Sequence, residues 1–230
     1  MSRGPIIAID GPAGSGKSSV ASEVAREMSA TNLNTGGLYR SVALIALRDG
    51  VDENDASALA LCASRLGLDG DGVSADGERI PDPDLRTPEV SAAASSVSVH
   101  PEVREVLNEV QRAAAEDASC FGGVVVEGRD IGTVVLPAAD LKVFLSASAE
   151  ERARRRTLQS KRDGEFERIK QAMEARDRQD SERAVSPLRP AEDAVVLDTT
   201  GLSLPEVVEK IVALARVARE KEPRQEVGES

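Results

Sequence analysis

The octet Gly11-Pro12-Ala13-Gly14-Ser15-Gly16-Lys17-Ser18 constrains the fold more than any other stretch, because the apolar run Ile6-Ile7-Ala8-Ile9 leads into it and a helical pattern leads out. The order is strand, glycine-rich loop, helix. Val20, Val24 and Met28, with Ala21 and Ala25 beside them, put one apolar stripe on a helix that begins near Lys17. Glycines at such a junction let backbone N–H groups turn inward on a polyphosphate; Lys17 reaches the β and γ oxygens, and the Ser18 hydroxyl suits Mg²⁺. The helix aims the positive end of its dipole at the same anion. The octet is therefore expected to cradle nucleotide phosphates rather than form an ordinary glycine turn.

Gly123-Val124-Val125-Val126-Glu127 and Leu141-Lys142-Val143-Phe144-Leu145 are short apolar runs of the kind buried on both faces of a parallel sheet, and Ala194-Val195-Val196-Leu197-Asp198 supplies a last strand. Leu33 alone, after the polar Ser29-Ala30-Thr31-Asn32, gives only a weak strand signal. Ser41 to Arg48 predicts a buried helix, Val51 to Gly67 another capped by Asp52 or Asn54, and Pro101 to Glu116 a third. Leu68 to Pro83, rich in Gly and Asp, predicts short strands with tight turns. Helices are also expected from Ala149 and from Leu204 to about Arg219, with a disordered charged tail over 220–230. The fold class is thus α/β, three layers around a central parallel sheet, in which ligands collect at the carboxyl ends of the strands.

A chain of 230 residues can bury a complete core without a partner. Its net charge of −11, with one Tyr and three Phe, argues against nucleic acid. No run is long and apolar enough for a membrane helix, and a cytoplasmic monomer is expected. Cys62 and Cys120 lack metal-type spacing, and His100, before Pro101 at a helix start, reads as solvated or capping. Any anionic ligand must be held by local basic clusters, and two occur, Arg152 to Arg156 and Arg176 to Arg183.

Five blocks carry a resemblance to the bacterial-type cytidylate kinases, a branch of the nucleoside monophosphate kinases, covering Ile7 to about Ala215. They are Ile9-Asp10-Gly11 through Lys17-Ser18, Thr35-Gly36-Gly37-Leu38-Tyr39-Arg40, Glu127-Gly128-Arg129-Asp130-Ile131-Gly132-Thr133-Val134, Ser148 through Arg155, and Arg176-Asp177-Arg178-Gln179-Asp180-Ser181-Glu182-Arg183-Ala184-Val185. The resemblance implies a core of 1–50 and 111–219, a monophosphate-binding insertion at about 51–110 and a short lid at about 149–170. ATP would be held by Gly11 through Ser18 and by Ser19. Thr35, Arg40, Arg129 and Arg183 would hold the acceptor phosphate. Ser95, Arg104 and Asp130 would read cytosine, and Arg176 and Asp180 would bind the sugar. One or more of Arg152, Arg154 and Arg155 would cover the transferring group. The expected reaction moves the γ-phosphoryl of ATP to CMP or dCMP with Mg²⁺.

The chemistry of the residue types agrees: a carboxylate at Asp130 accepts from the cytosine amine but opposes the uracil carbonyl, and the planar guanidinium of arginine makes paired bonds to phosphate. Against this, Arg152 to Arg156 also reads as the solvated face of a helix and Arg176 to Arg183 as a surface network of alternating signs. Ser95 equally suits helix packing, Asp130 a helix cap. Asn34 and Gly37 stand where the family usually has Asp and Ala, and Thr157 to Phe166 is a short lid segment. Two other functions remain open: a phosphate-loop kinase acting on UMP, AMP or a small metabolite such as shikimate, and a GTP-hydrolysing switch protein. The second would need an Asn-Lys-x-Asp guanine motif that the chain lacks.

Overall fold

A computed structural model describes residues 3–69, 72–160 and 165–221. The expected tail lies almost entirely outside them. Among the described residues, the main sheet is built from β1 (Ile6–Asp10), β2 (Thr31–Asn34), β6 (Val124–Glu127), β7 (Leu141–Ser146) and β8 (Val195–Asp198), in the order β2-β6-β1-β7-β8. Every pairing is parallel, with Ile7 opposite both Val125 and Leu141.

Because side chains alternate across a strand, β1 feeds two cores. Ile7 and Ile9 join Val125, Val143 and Leu145 under α1 (Lys17–Met28) and α9 (Leu204–Lys221), which contribute Val20, Val24, Val207 and Ile211. Ala8 faces the other side with Leu33, Val124, Val126, Ile131 and Val135, covered by Ala115 of α6 (Pro101–Ser119). β2 is the strand that the sequence signals weakly. It sits at the sheet edge, so a single residue, Leu33 at 1% exposed, suffices to anchor it.

A third core gathers the middle of the chain. α2 (Gly36–Asp49), α3 (Ala56–Ser64) and α5 (Pro88–Val97) pack with the small antiparallel sheet β3 (Leu66–Asp69), β4 (Gly72–Ala75), β5 (Glu78–Arg79) and with the one-turn α4 (Asp82–Leu85). Leu38, Val42, Leu59, Val73, Val90 and Val97 are buried there. α6 belongs to both sides: Val103 and Leu107 enter this third core while Ala115 lies on the main sheet.

Two helix starts differ from expectation. α2 begins at Gly36, five residues before Ser41, because the Asn34 side-chain oxygen accepts from the Gly37 N–H at 3.3 Å and so supports the first turn. α3 is capped by Asp55, whose Oδ1 accepts from the Ala58 N–H at 2.9 Å, not by Asp52 or Asn54; Asp52 instead closes a turn on the Asn54 N–H. His100 ends at the α6 start, bonded through Nε2 to the Glu53 carbonyl at 2.7 Å. Cys62 is buried and Cys120 exposed, both unbridged. No described helix is long and apolar enough to cross a membrane. The last helices are α7 (Ala149–Ser160) and α8 (Phe166–Glu182).

Candidate active site

β1 ends at Asp10, and the next position admits only glycine because the Leu145 carbonyl of β7 occupies the place a Cβ at residue 11 would need. Gly16 precedes α1 at φ 93°, a left-handed conformation open to glycine. Lys17 is 6% exposed and its Nζ donates to the Pro12 carbonyl at 2.8 Å, folding the loop over it. Burial holds the Lys17 ammonium well below the ordinary lysine range; the Arg129 guanidinium adds to this, and Glu127, Asp10 and Asp177 offset it in part. A buried cation facing another cation is electrostatically poised for an anion. Ser18 and Ser19 lie exposed at the helix start.

The Ser18 hydroxyl donates to Glu127 Oε2 at 2.9 Å. Glu127 is 4% exposed, and its Oε1 is buried with no protein partner among the described residues. Sequence reasoning assigned Glu127 no role. The signal was present in its place, an acidic residue ending the strand that pairs directly with β1. Thr35, also buried, donates its hydroxyl to the Glu127 carbonyl at 2.7 Å.

A second constellation lies at the same strand ends. Asp130 and Arg104 are both buried and meet at 2.5 Å, with the Arg104 guanidinium 5.3 Å above the Tyr39 ring. Asp130 precedes a π-helical turn, Ile131–Val135, but its side chain caps nothing there. Asp180, expected at a sugar, gathers two arginines: Arg129 Nε donates to its Oδ2 at 3.1 Å, and Arg183 Nη1 stands 3.7 Å from Oδ1. Burial brings Arg40 down to about 10, with Arg86 and Arg176 adding like charge. Burial also lowers Arg176, where Arg129 adds like charge, and Arg183, where Arg104 does. The Nε atoms of Arg40, Arg104 and Arg176 are buried without a partner among the described residues. Unpaired buried donors and like charges held together leave a demand for an anion. Ser95 takes no part in this: its hydroxyl donates to the Ser91 carbonyl within α5 at 3.4 Å.

The arginines of α7 divide by partner. Arg152 is pinned to the phosphate loop, donating to the Ala13 carbonyl at 2.9 Å and to Asp177, whose other oxygen accepts from the Ala13 N–H at 2.8 Å. Arg155 reaches the Thr199 carbonyl at 2.7 Å and pairs with Glu151 at 2.8 Å. Arg154 is exposed and paired with the same Glu151. Asp177, like Glu127, was not singled out by sequence. Asp177→Ala is expected to speed amide exchange across α8 by about tenfold or more, through loss of its bonds to Arg152 and to the Ala13 N–H; unchanged exchange would rule out a tether.

The sequence model of the cytidylate kinase family matches residues 7–217. A protein described as cytidylate kinase from Desulfitobacterium hafniense is 46% identical over 216 residues, covering 90% of this chain and 91% of its own. Another of that description, from Mycobacterium avium, is 46% identical over 225 residues, covering 94% and 97%. Among solved structures, an uncharacterized protein from Eubacterium ventriosum aligns over 92% of this chain and 98% of its own, with a TM-score of 0.53 at 13% identity, a likeness of fold.

Proposed function

The chain belongs to the cytidylate kinase family, and on that premise we propose how its residues divide the work of moving the γ-phosphoryl group of ATP to CMP or dCMP. The acceptor atom is a phosphate oxygen already ionised near neutral pH, so the reaction needs no general base. Catalysis reduces to alignment and charge neutralisation. Lys17 and the amides of residues 14–18 hold the donor. Arg40, Arg129 and Arg183, with Thr35, hold the acceptor phosphate. Asp130 receives the cytosine amine while Arg104 fixes its orientation. Asp180 and Arg176 reach the sugar once a phosphate has replaced Asp180 as the partner of Arg129 and Arg183. Arg152 and Arg155 cover the transferring group, and the closed lid keeps water out.

The single observation that carries this reading is a buried Lys17 set against Arg129: burial first and the Arg129 charge second hold its ammonium well below the ordinary lysine range. A donor-side lysine and an acceptor-side arginine thus face one space, where Glu127, Asp10 and Asp177 offset the repulsion on Lys17 only in part. Residues 51–110 are proposed as the monophosphate-binding insertion and 149–170 as the lid. All of these groups come from one chain, and a monomer is the proposed working unit.

Mg²⁺ fits the residues present. Ser18 and Glu127 offer hard oxygen ligands, and Glu127 Oε1 is a buried acceptor still to be satisfied. Bound with ATP, the ion would neutralise charge on the β and γ oxygens. Glu127→Gln is expected to raise the Mg²⁺ concentration for half-maximal rate by about tenfold, one charge-assisted contact. An unchanged Mg²⁺ dependence would leave Glu127 a purely structural partner of Ser18.

The function is tested with ATP·Mg²⁺ and a panel of CMP, dCMP, UMP, AMP and shikimate, read as kcat/KM. The cytidine nucleotides are expected to lead UMP by about tenfold or more, the difference a carboxylate makes on meeting the wrong base edge. Highest activity with shikimate or AMP, or acceptor-independent GTP hydrolysis, would replace this reading.

A further inference from the structure

Asp10 is a buried carboxylate, 5% exposed, for which the phosphoryl-transfer scheme above has no use. It is the last residue of β1, and Gly11 begins the phosphate loop immediately after it. Its two oxygens are both spent on consecutive amides far away in sequence: Oδ1 accepts from the Ile131 N–H at 2.9 Å and Oδ2 from the Gly132 N–H at 2.8 Å. Those amides open the π-helical turn that directly follows Arg129 and Asp130.

The far end of the turn is held by Arg112, which donates to the Val134 and Val135 carbonyls at 3.0 and 2.9 Å, and by the burial of Ile131 and Val135, whereas its first two amides go to Asp10. The chain leaves β6 with one last sheet bond, Gly128 N–H to the Ile9 carbonyl at 3.0 Å, and Asp10 catches it again three residues later. At Gly132 a Cβ would press on the Lys142 stem at 3.2 Å and on Asp10 Oδ2 at 3.4 Å, so the turn is packed against the carboxylate. Asp130 makes no cap of its own. Its side chain is free to meet Arg104, and its aim is set by where the backbone on either side is tied.

We propose that Asp10 is a positioning residue for base discrimination, clamping the turn that carries Asp130 to the strand that carries the phosphate loop. The proposal deepens the cytidine-nucleotide reading and rests on it. Asp10 touches neither nucleotide in this scheme; it acts through the backbone of residues 131 and 132. The clamp also gives one strand end two duties, since β1 launches the donor loop while its terminal carboxylate fixes the acceptor-reading turn.

The charged groups that act on Asp10 are Lys17 from the start of α1 and Asp130 from the turn, while Lys142 of β7 packs its stem against Gly132 and carries its ammonium to Asp193 at 2.8 Å. Burial pushes its carboxyl up to about 6; the Asp130 charge adds to this, while the Gly132 and Ile131 amides and the Lys17 ammonium oppose it. The clamp is therefore held at an electrostatic cost, as expected where a carboxylate is retained for geometry rather than for stability.

Asp10→Asn keeps the shape but lets the side chain accept only one of the two amides and turns an N–H₂ toward the other. Three readouts are taken: kcat/KM for CMP and for UMP, KM for ATP, and the melting temperature. The CMP to UMP ratio is expected to fall by about tenfold, the effect of one lost buried bond, through KM for CMP more than through kcat. KM for ATP is expected to stay within about twofold, and the melting temperature within a few degrees, since relief of the buried charge offsets the lost bond. An unchanged ratio overturns the proposal, as does an equal loss for CMP and UMP, which would mark Asp10 as structural only. Should the variant fail to fold, the wild-type ratio is followed from about pH 7.5 to about pH 5.5. Ionisation of the acceptor phosphate is common to both substrates and cancels. The ratio is expected to fall as pH drops through about 6, and a flat ratio overturns the proposal. A wild-type protein that phosphorylates neither CMP nor dCMP would instead sink the functional reading itself, before any variant is made.

Discussion

Lys17→Ala is expected to lower kcat by about a thousandfold or more while the chain still folds, on the proposal that Lys17 holds the donor phosphates. The rate loss follows from removing a preorganised cation from the oxygens that gain charge in the transfer, in a site where water cannot substitute for it. The survival of the fold follows from the same burial. Lys17 sits 6% exposed beside Arg129 with its ammonium held well below the usual lysine range, so the native state bears a cost for keeping it charged. Deleting the side chain removes that cost and loses the bonds to the Pro12 carbonyl and, at 3.5 Å, to the Ser15 hydroxyl. Steady-state rates with saturating CMP, together with a melting curve, check both halves. A near-wild-type rate would remove Lys17 from the donor site, and a cooperative melt lost altogether would show that the lysine builds the loop rather than serving it.

The second large effect separates two substitutions at one position. Asp130→Ala leaves Arg104, 2% exposed, with the Ser98 carbonyl and the Tyr39 ring as contacts and only the more distant charge of Asp180 to oppose its own. Stranding a buried charge costs about 3–5 kcal/mol, so this variant should melt many degrees lower than wild type. Asp130→Asn keeps a polar partner for Arg104 but exchanges a pure acceptor for a group that also donates. It should retain most of the stability while the kcat/KM preference for CMP over UMP drops by about 10- to 100-fold, the worth of one good base contact. If the Asn variant keeps the wild-type preference, base recognition lies elsewhere and Ser95, now seen bonded within its own helix, returns as a candidate.

The sequence was most informative where structure is local. The strand, loop and helix from Ile6 to Met28 lie within 23 residues, and the apolar run at Val124 to Val126 announces a strand buried on both faces. β2 was faint because an edge strand needs one inward residue where a central strand needs several. The start of α2 was hidden because Gly36-Gly37 reads as a turn, and what makes it helical is a side-chain bond from Asn34. That bond also shows what the neutral amide preserves where the family usually has a carboxylate. Gly37 in place of alanine has a local reason too, since a Cβ there would stand 3.0 Å from Val73.

Three carboxylates escaped notice for one shared reason. Asp10 acts on Ile131, Asp177 on Ala13 and Glu127 on Ser18, across separations of 121, 164 and 109 residues. Beyond the place of Asp10 and Glu127 at the ends of buried strands, nothing in the linear sequence distinguishes such groups from solvated ones. The segment Arg176 to Arg183 illustrates the point. Its alternating signs fitted a surface network, yet Asp177 and Asp180 are counter-ions turned inward on Arg152, Arg129 and Arg183.

Helix α6 is 19 residues long, roughly 28 Å from end to end. Its first turns hold Arg104, and its last turns rest on the main sheet through Ala115. A rod of that kind transmits tilt without bending, so the proposed base-reading pair Arg104 and Asp130 inherits the stiffness of the sheet beneath it. Enlarging Ala115 would shift a residue three turns away, and selectivity could be detuned by substitutions that never approach a nucleotide.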